Sequence, residues 1–218
     1  MDIATNHVEL LWQFRKNQES LADESWLTAV LAPHCKITRM HWRGSRLRII
    51  QFPNEFARWL IHMAKRKVTS YLEIGTSTGG AWMAADAYLR TTVPFYLGSV
   101  GYDQTAKLRD FDFYKSEVGT IEFRNQNSRH MDLGSEQYGA SFIDARHLER
   151  WVWHDYKKVA ENSMLIGFHD IVLEGSTVAP AWARIKARHH EWREIIDESA
   201  PVSARCGIGV VDTEAGDA

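Results

Sequence analysis

From residue 68 onward, short apolar segments alternate with helix-sized amphipathic ones. This alternation constrains the fold more than any other feature of the chain. Residues 68–75 (VTSYLEIG), 94–103 (PFYLGSVGYD), 120–128 (TIEFRNQNS), 139–145 (GASFIDA), 163–172 (SMLIGFHDIV) and 207–212 (GIGVVD) read as strands. Between them, residues 81–89, 147–160 and 179–196 read as helices, and 106–117 as helical or irregular. Neighbouring strands joined by helices pair in parallel, because a parallel crossover needs a connection of that size. The expected class is α/β: a doubly wound, mostly parallel sheet with N-terminal helices added. Ligands of such sheets bind beyond the carboxyl ends of the strands, near the point where strand order reverses.

The chain before residue 68 reads differently. Residues 7–31 carry Val8, Leu11, Trp12 and Phe14 on one helical face and Leu27, Val30 and Leu31 on a second, with Asp23 or Ser25 as cap and Pro33 as stop. Asn54 is placed to cap a further helix that buries Phe56, Trp59, Leu60 and Met63. The expected division is an N-terminal helical cap or extension over 1–50 and the doubly wound α/β domain over 51–218. Between them, Lys36 to Arg48 holds five basic residues, Lys36, Arg39, Arg43, Arg46 and Arg48, with Trp42 among them and no acid. That segment reads as a solvated loop or hairpin, or as a surface for an anionic substrate or nucleic acid.

Composition narrows the function classes. With 26 Lys+Arg against 28 Asp+Glu, the formal charge is -2, so a general polyanion binder is not expected. No apolar run approaches the ~18 residues that span a bilayer. The first residues lack the basic-then-apolar pattern of a secretory signal, and Cys35 and Cys206 are the only cysteines. A cytoplasmic protein without membrane association is expected. Trp59, Trp82, Trp151 and Trp182 read as core, Cys206 as a buried small hydrophobe and His189-His190 as solvent-facing. Trp151 and Trp153, two apart, cannot share a helix face.

The chemistry collects at the strand ends. The first ends in Glu73-Ile74-Gly75-Thr76-Ser77-Thr78-Gly79-Gly80. Such a turn lets a ligand approach the backbone, yet it is neither GxGxxG nor a phosphate-binding GKS/T loop. Glu73 disfavours phosphate there and suits a cationic or ammonium-bearing ligand. Asp103, 28 residues after Gly75, is placed to accept ribose hydroxyls. Asn127 and Ser128 can hold an adenine edge or water. Asp144, His147, His169 and Asp170 follow buried strands and can bind a metal or move a proton.

In this order the motifs resemble class I S-adenosylmethionine-dependent methyltransferases. FIDARHLERWVWHDYKKVAENSMLIGFHDI, with Gln51-Phe52-Pro53-Asn54-Glu55, is similar to the bacterial family of macrolide sugar O-methyltransferases and cephalosporin-hydroxylase-like proteins, over roughly residues 50–212. The resemblance implies a Rossmann-like fold and S-adenosylmethionine as cofactor. It implies that Glu73, Gly75, Thr76, Ser77 and Gly79 border the methionine part, Asp103 the ribose, and Asn127 and Ser128 the adenine. Asp144 and Asp170 fall at metal-ligand positions, and His169 stands where some members have a third carboxylate. That histidine weakens the case for Mg²⁺ and suits a transition metal or no metal at all, so Mg²⁺, Mn²⁺ and no ion stay open. His147 falls at the mouth of the site, and Asp144, His147 and His169 are the candidate catalytic residues. Asn162-Ser163, Ala145-Arg146 and Asn127 depart from the family pattern.

The expected reaction is methylation of a hydroxyl on a small-molecule acceptor, an anionic one among the options, metal-assisted or with a histidine base, with a homodimer as one option for assembly. The competing expectation is an S-adenosylmethionine- or nucleotide-binding module with a regulatory or interaction role. A nicotinamide-dependent oxidoreductase is disfavoured by the missing GxGxxG and by Glu73.

Overall fold

The computed structural model describes residues 4–38, 41, 42, 47–200 and 205–213. Its elements are α1 (His7–Lys16), α2 (Glu24–Leu31), β1 (Lys36–Thr38), β2 (His41–Trp42), α3 (Pro53–Lys65), β3 (Ser70–Ile74), α4 (Gly80–Thr92), β4 (Gly98–Tyr102) and α5 (Phe111–Val118). There follow β5 (Ile121–Arg124), β6 (Tyr138–Ile143), α6 (Glu149–Val159), β7 (Ser163–His169), α7 (Val178–Lys186), β8 (Trp192–Ile195) and β9 (Ile208–Asp212). Residues 36–38, 41 and 42 form a short hairpin. The side chains of 36–46, Trp42 included, lie outside the described residues, so of the basic segment only Arg48 is described.

The main sheet has seven strands in the order β5-β4-β3-β6-β7-β9-β8. The pairs β3–β4, β4–β5, β3–β6 and β6–β7 are parallel, whereas β9 runs antiparallel to both β7 and β8. The chain winds outward from β3 through β4 to β5, then returns to β6 on the other side of β3. Strand order therefore reverses between β3 and β6, and a crevice opens at their carboxyl ends.

Alternate strand residues serve two cores. Tyr71, Phe142, Leu165 and Val210 face α1 to α4, while Leu72, Ile143, Ile166 and Val211 face α6 and α7. Trp59 of α3 stacks on Phe142 at 5.6 Å between centroids. Asp23 caps α2 through bonds from the Ser25 and Trp26 amides.

Three local expectations change. Helix α3 starts at Pro53 with Phe52 as its cap residue, and the Asn54 side chain instead donates to Asp197. Proline at the first helical turn lacks only an N–H that would be unbonded anyway. The strand expected over 120–128 stops at Arg124, and Ser128–His130 form a single 3-10 turn. The helix expected over 179–196 stops at Lys186, and Trp192–Ile195 become the edge strand β8. Trp192, Ile195 and Ile196 have helical spacing, but a short apolar run fits either state, and pairing with β9 decides it.

Among the described residues, no helix is long and apolar enough to cross a membrane.

Candidate functional site

The crevice between β3 and β6 holds a cleft of about 360 Å³. One wall is the glycine turn. Gly75 donates its N–H to Tyr102 O, and the Asp144 N–H bonds Ile74 O, so the turn is sewn to both neighbouring strands. Gly75 has φ +98°, and a β-carbon there would lie 2.4 Å from Asp144 O. Only glycine tolerates that conformation and that approach. Gly79, at φ +83°, is the N-cap of α4.

Glu73 sits at the floor of the cleft, 1% exposed, and accepts a 2.8 Å bond from the Tyr71 hydroxyl. Burial pushes its carboxyl up to about 8, despite the Tyr71 bond. Asp103, at the end of β4, accepts from Ser77 N (2.8 Å) through Oδ2, and from Thr105 N and Oγ1 through Oδ1. By lone-pair count Oδ1 is full and Oδ2 keeps one site, so a second incoming hydroxyl requires the Thr105 hydroxyl to turn away.

Asn127 and Ser128 line the far end. The Asn127 amide is engaged at both ends: its oxygen accepts from Arg129 N and its nitrogen donates to Gln104. It shapes the loop more than it offers a free edge. Two further lining residues, Trp151 and Asp155, come from α6. Asp155 is 2% exposed, with a carboxyl raised by burial although Ser128 and His154 bond it. Neither was expected here. Trp151, read as core, is half-buried and forms part of the wall, while Trp59, Trp82 and Trp182 are in the core as expected. His189, expected to face solvent, is half-buried and its Nε2 meets the Tyr156 hydroxyl at 2.9 Å.

Asp144, His147, His169 and Asp170 converge at the near end, with one ligand atom of each inside a 4.8 Å set. His147 Nδ1 lies 2.8 Å from Asp170 Oδ2, and its Nε2 lies 3.3 Å from Asp144 Oδ1. His169 Nδ1 approaches Asp144 Oδ1 at 3.0 Å and Asp170 Oδ1 at 3.2 Å. Those two approaches lack hydrogen-bond alignment, so both His169 ring nitrogens and Asp170 Oδ1 are buried without a hydrogen-bond partner. Bonds to Asp144 and Asp170 push His147 up to about 10. Burial opposes charge on His169, but the same carboxylates outweigh it and raise it to about 9. Burial likewise opposes charge on both aspartates, yet the imidazoles hold them below the usual carboxylate range.

Asp170 has φ +62°, an uncommon conformation for a non-glycine residue. Gln51, fully buried, donates to Asp144 Oδ2 at 2.7 Å and ties the segment before α3 to the cluster. Nothing in the sequence placed Gln51 in this contact, which spans 93 residues.

No protein-family model and no curated protein matches the chain. Solved structures do. The O-methyltransferase TomG from Streptomyces achromogenes, involved in tomaymycin synthesis and solved with SAM, superposes with a TM-score of 0.54 at 13% identity, covering 95% of each chain. An O-methyltransferase from Bacillus cereus, solved with SAH, gives 0.53 at 12%, covering 94% of this chain and 97% of that one. A tRNA (m1A58) methyltransferase, TrmI from Aquifex aeolicus, gives 0.52 at 14%, covering 75% and 69%. The chain therefore has the Rossmann-like fold found in these methyltransferases. The spread of their acceptors shows that this fold does not choose the acceptor.

Proposed function

We propose that the protein is an S-adenosylmethionine-dependent methyltransferase acting on a hydroxyl of a small-molecule acceptor. One observation carries this reading. A single cleft at the switch point joins a close-approach glycine turn, an acidic residue at the end of the next strand, and a cluster of ionisable groups at its other end.

When bound, S-adenosylmethionine supplies a methyl group already activated on a sulfonium. The protein's task is then to align the reactants and exclude water. The Gly75–Gly79 turn offers backbone N–H groups, and the Glu73 carboxyl, raised to about 8 by burial, is drawn back toward its ionised form by an ammonium placed beside it. Tyr71 holds that carboxylate in place. Asp103 receives the ribose through the open site on Oδ2. Ser128 and Asp155 offer a polar edge to the adenine.

The acceptor hydroxyl must lose a proton. In the cluster as it stands, both imidazoles are protonated near neutrality and offset the two carboxylates, so neither is a free base. The donor set fits a divalent ion: two carboxylates and two imidazoles at ligand spacing, with unpartnered atoms on His169 and Asp170. Asp144, His169 and Asp170 would hold it, and a nitrogen ligand favours Mn²⁺ or a later transition ion over Mg²⁺. A bound ion supplies positive charge that lowers the pKa of a nearby hydroxyl. His147, 43% exposed at the cleft, already holds a proton in the cluster as it stands; it would have to release that proton to solvent, as a bound cation beside it would favour, before it could take one from the acceptor.

The test is calorimetric titration of S-adenosylhomocysteine, with and without Mn²⁺, into the wild type, Asp103→Ala and Asp144→Ala. Micromolar binding is expected, weakened tenfold or more (~1.4 kcal/mol) by Asp103→Ala. Asp144→Ala is expected to remove the response to Mn²⁺. Absence of binding in every condition would replace the enzyme by a binding module for another ligand.

A further inference from the structure

We infer that the mouth of the cleft is an anion subsite, built by Arg129, Arg146 and Arg150 around the Trp151 indole, and that the acceptor carries a phosphate group held there. The word acceptor rests on the methyltransferase reading. The subsite itself rests on the geometry.

Three guanidinium groups from three segments meet at one ring. Arg129 comes from the turn after β5, Arg146 from the loop after β6, and Arg150 from the first turn of α6. Their central carbons lie 3.9, 5.6 and 5.2 Å from the Trp151 ring centroid. Arg129, Arg146 and Trp151 line the cleft, and all three arginines are exposed.

Among the described residues, none of the three forms an ion pair. Several acids of the cleft and of the β5 edge are engaged elsewhere. Glu122 and Glu136 pair with Arg124. Within the cleft, Tyr71 bonds Glu73, Ser77 and Thr105 bond Asp103, and Gln51 bonds Asp144. Arg146 acts on buried Asp155 through space without touching it.

Three like charges gathered around one ring repel one another, and salt screens that repulsion only in part. An anion relieves that repulsion. A phosphate dianion matches several cations at once, and the planar guanidinium fork binds phosphate oxygens in pairs. The Trp151 N–H is also buried without an acceptor, so the ring edge keeps a donor unused.

Single-stranded nucleic acid uses similar chemistry, with bases stacked on aromatic rings. Here a guanidinium already covers the indole at 3.9 Å, and the chain's formal charge is -2, which favours a small phosphorylated molecule.

The experiment titrates pyrophosphate at low ionic strength into the wild type and into an Arg129→Gln/Arg146→Gln variant, each free and saturated with S-adenosylhomocysteine. The variant's fold is checked by its thermal midpoint, and single Arg129→Gln and Arg146→Gln proteins replace it if it is unfolded. Pyrophosphate is expected to bind the loaded wild type and to bind the variant at least tenfold more weakly. Equal binding to both proteins, or none to the wild type, overturns the subsite. Competition between pyrophosphate and S-adenosylhomocysteine places the anion in the nucleoside pocket and overturns the acceptor assignment. An oligouridylate that binds tenfold tighter than pyrophosphate overturns it in favour of nucleic acid. If S-adenosylhomocysteine fails to bind while pyrophosphate binds through the arginines, the subsite stands and the methyltransferase reading falls.

Discussion

His7 is 1% exposed in α1, with Nε2 3.3 Å from Gly80 O at the start of α4. Burial pushes its pKa down to about 4, against an ordinary 6.5, although the Gly80 bond opposes the shift. The unfolded chain therefore binds a proton that the folded chain refuses between those two values. Stability is full above pH 6.5 and falls as pH drops toward 4, by roughly 3 kcal/mol for a shift of this size. His7→Gln keeps a donor for Gly80 O and removes the titration. Its melting temperature at pH 5 is expected to fall less, relative to pH 7.5, than that of the wild type. An unchanged pH slope would remove His7 as the cause.

The same scale shows what the sequence discloses about the site. Asp103, Asp144, His169 and Asp170 were legible because a strand end fixes where a side chain emerges. Gln51, Trp151 and Asp155 were not, because a helix face or a distant segment brings them to the cleft only after the sheet has formed.

At the scale of elements, Asp86 ties α4 to its surroundings. It is fully buried and accepts from Ser99 Oγ on β4 (2.8 Å), the Tyr114 hydroxyl on α5 (2.8 Å) and the Tyr96 hydroxyl (3.2 Å), and it pairs with Arg90 one turn along α4. Arg90 in turn donates to Thr120 O before β5. Asp86→Ala leaves a largely buried guanidinium and three hydroxyls without their acceptor. A loss of about 3–5 kcal/mol is expected, read as a lower urea midpoint at unchanged slope. A midpoint within experimental error of the wild type would show that the network is dispensable. Element types were legible where the hydrophobic period was long, as in α3 and β3 to β7. They were ambiguous at 179–196, where a helix and an edge strand share one apolar pattern and only the partner strand β9 separates them.

At the scale of the whole molecule, the N-terminal helices are built into the core of the sheet. Leu10, Leu11, Phe14, Leu27 and Leu31 are essentially fully buried, in one cluster with Tyr71, Trp82 and Phe142. Phe14 packs edge-on against Tyr88 at 5.7 Å, and the Tyr88 hydroxyl donates to Leu21 O. The segment that follows lies on the start of α4, since a β-carbon on Gly80 would meet Leu47 O at 2.2 Å. It reaches the site through Gln51. Burying five such side chains stabilises by roughly 10 kcal/mol at 1.5–3 kcal/mol each. That equals the net stability of an ordinary domain, about 5–15 kcal/mol. The extension over 1–50 is therefore expected to unfold together with the sheet. Far-ultraviolet dichroism, which follows the helices, and tryptophan fluorescence, which reports all nine indoles including Trp12 and Trp26 of the extension and Trp59 and Trp82 of the core, should give one coincident thermal transition. A chain beginning at residue 33 should show no cooperative transition, because its α4 surface faces water. Two separated transitions in the full chain, or a cooperative melt of the shortened one, would make the extension an independent cap. S-adenosylhomocysteine would then raise the sheet's transition alone, whereas in the single unit it raises the one transition that both probes report.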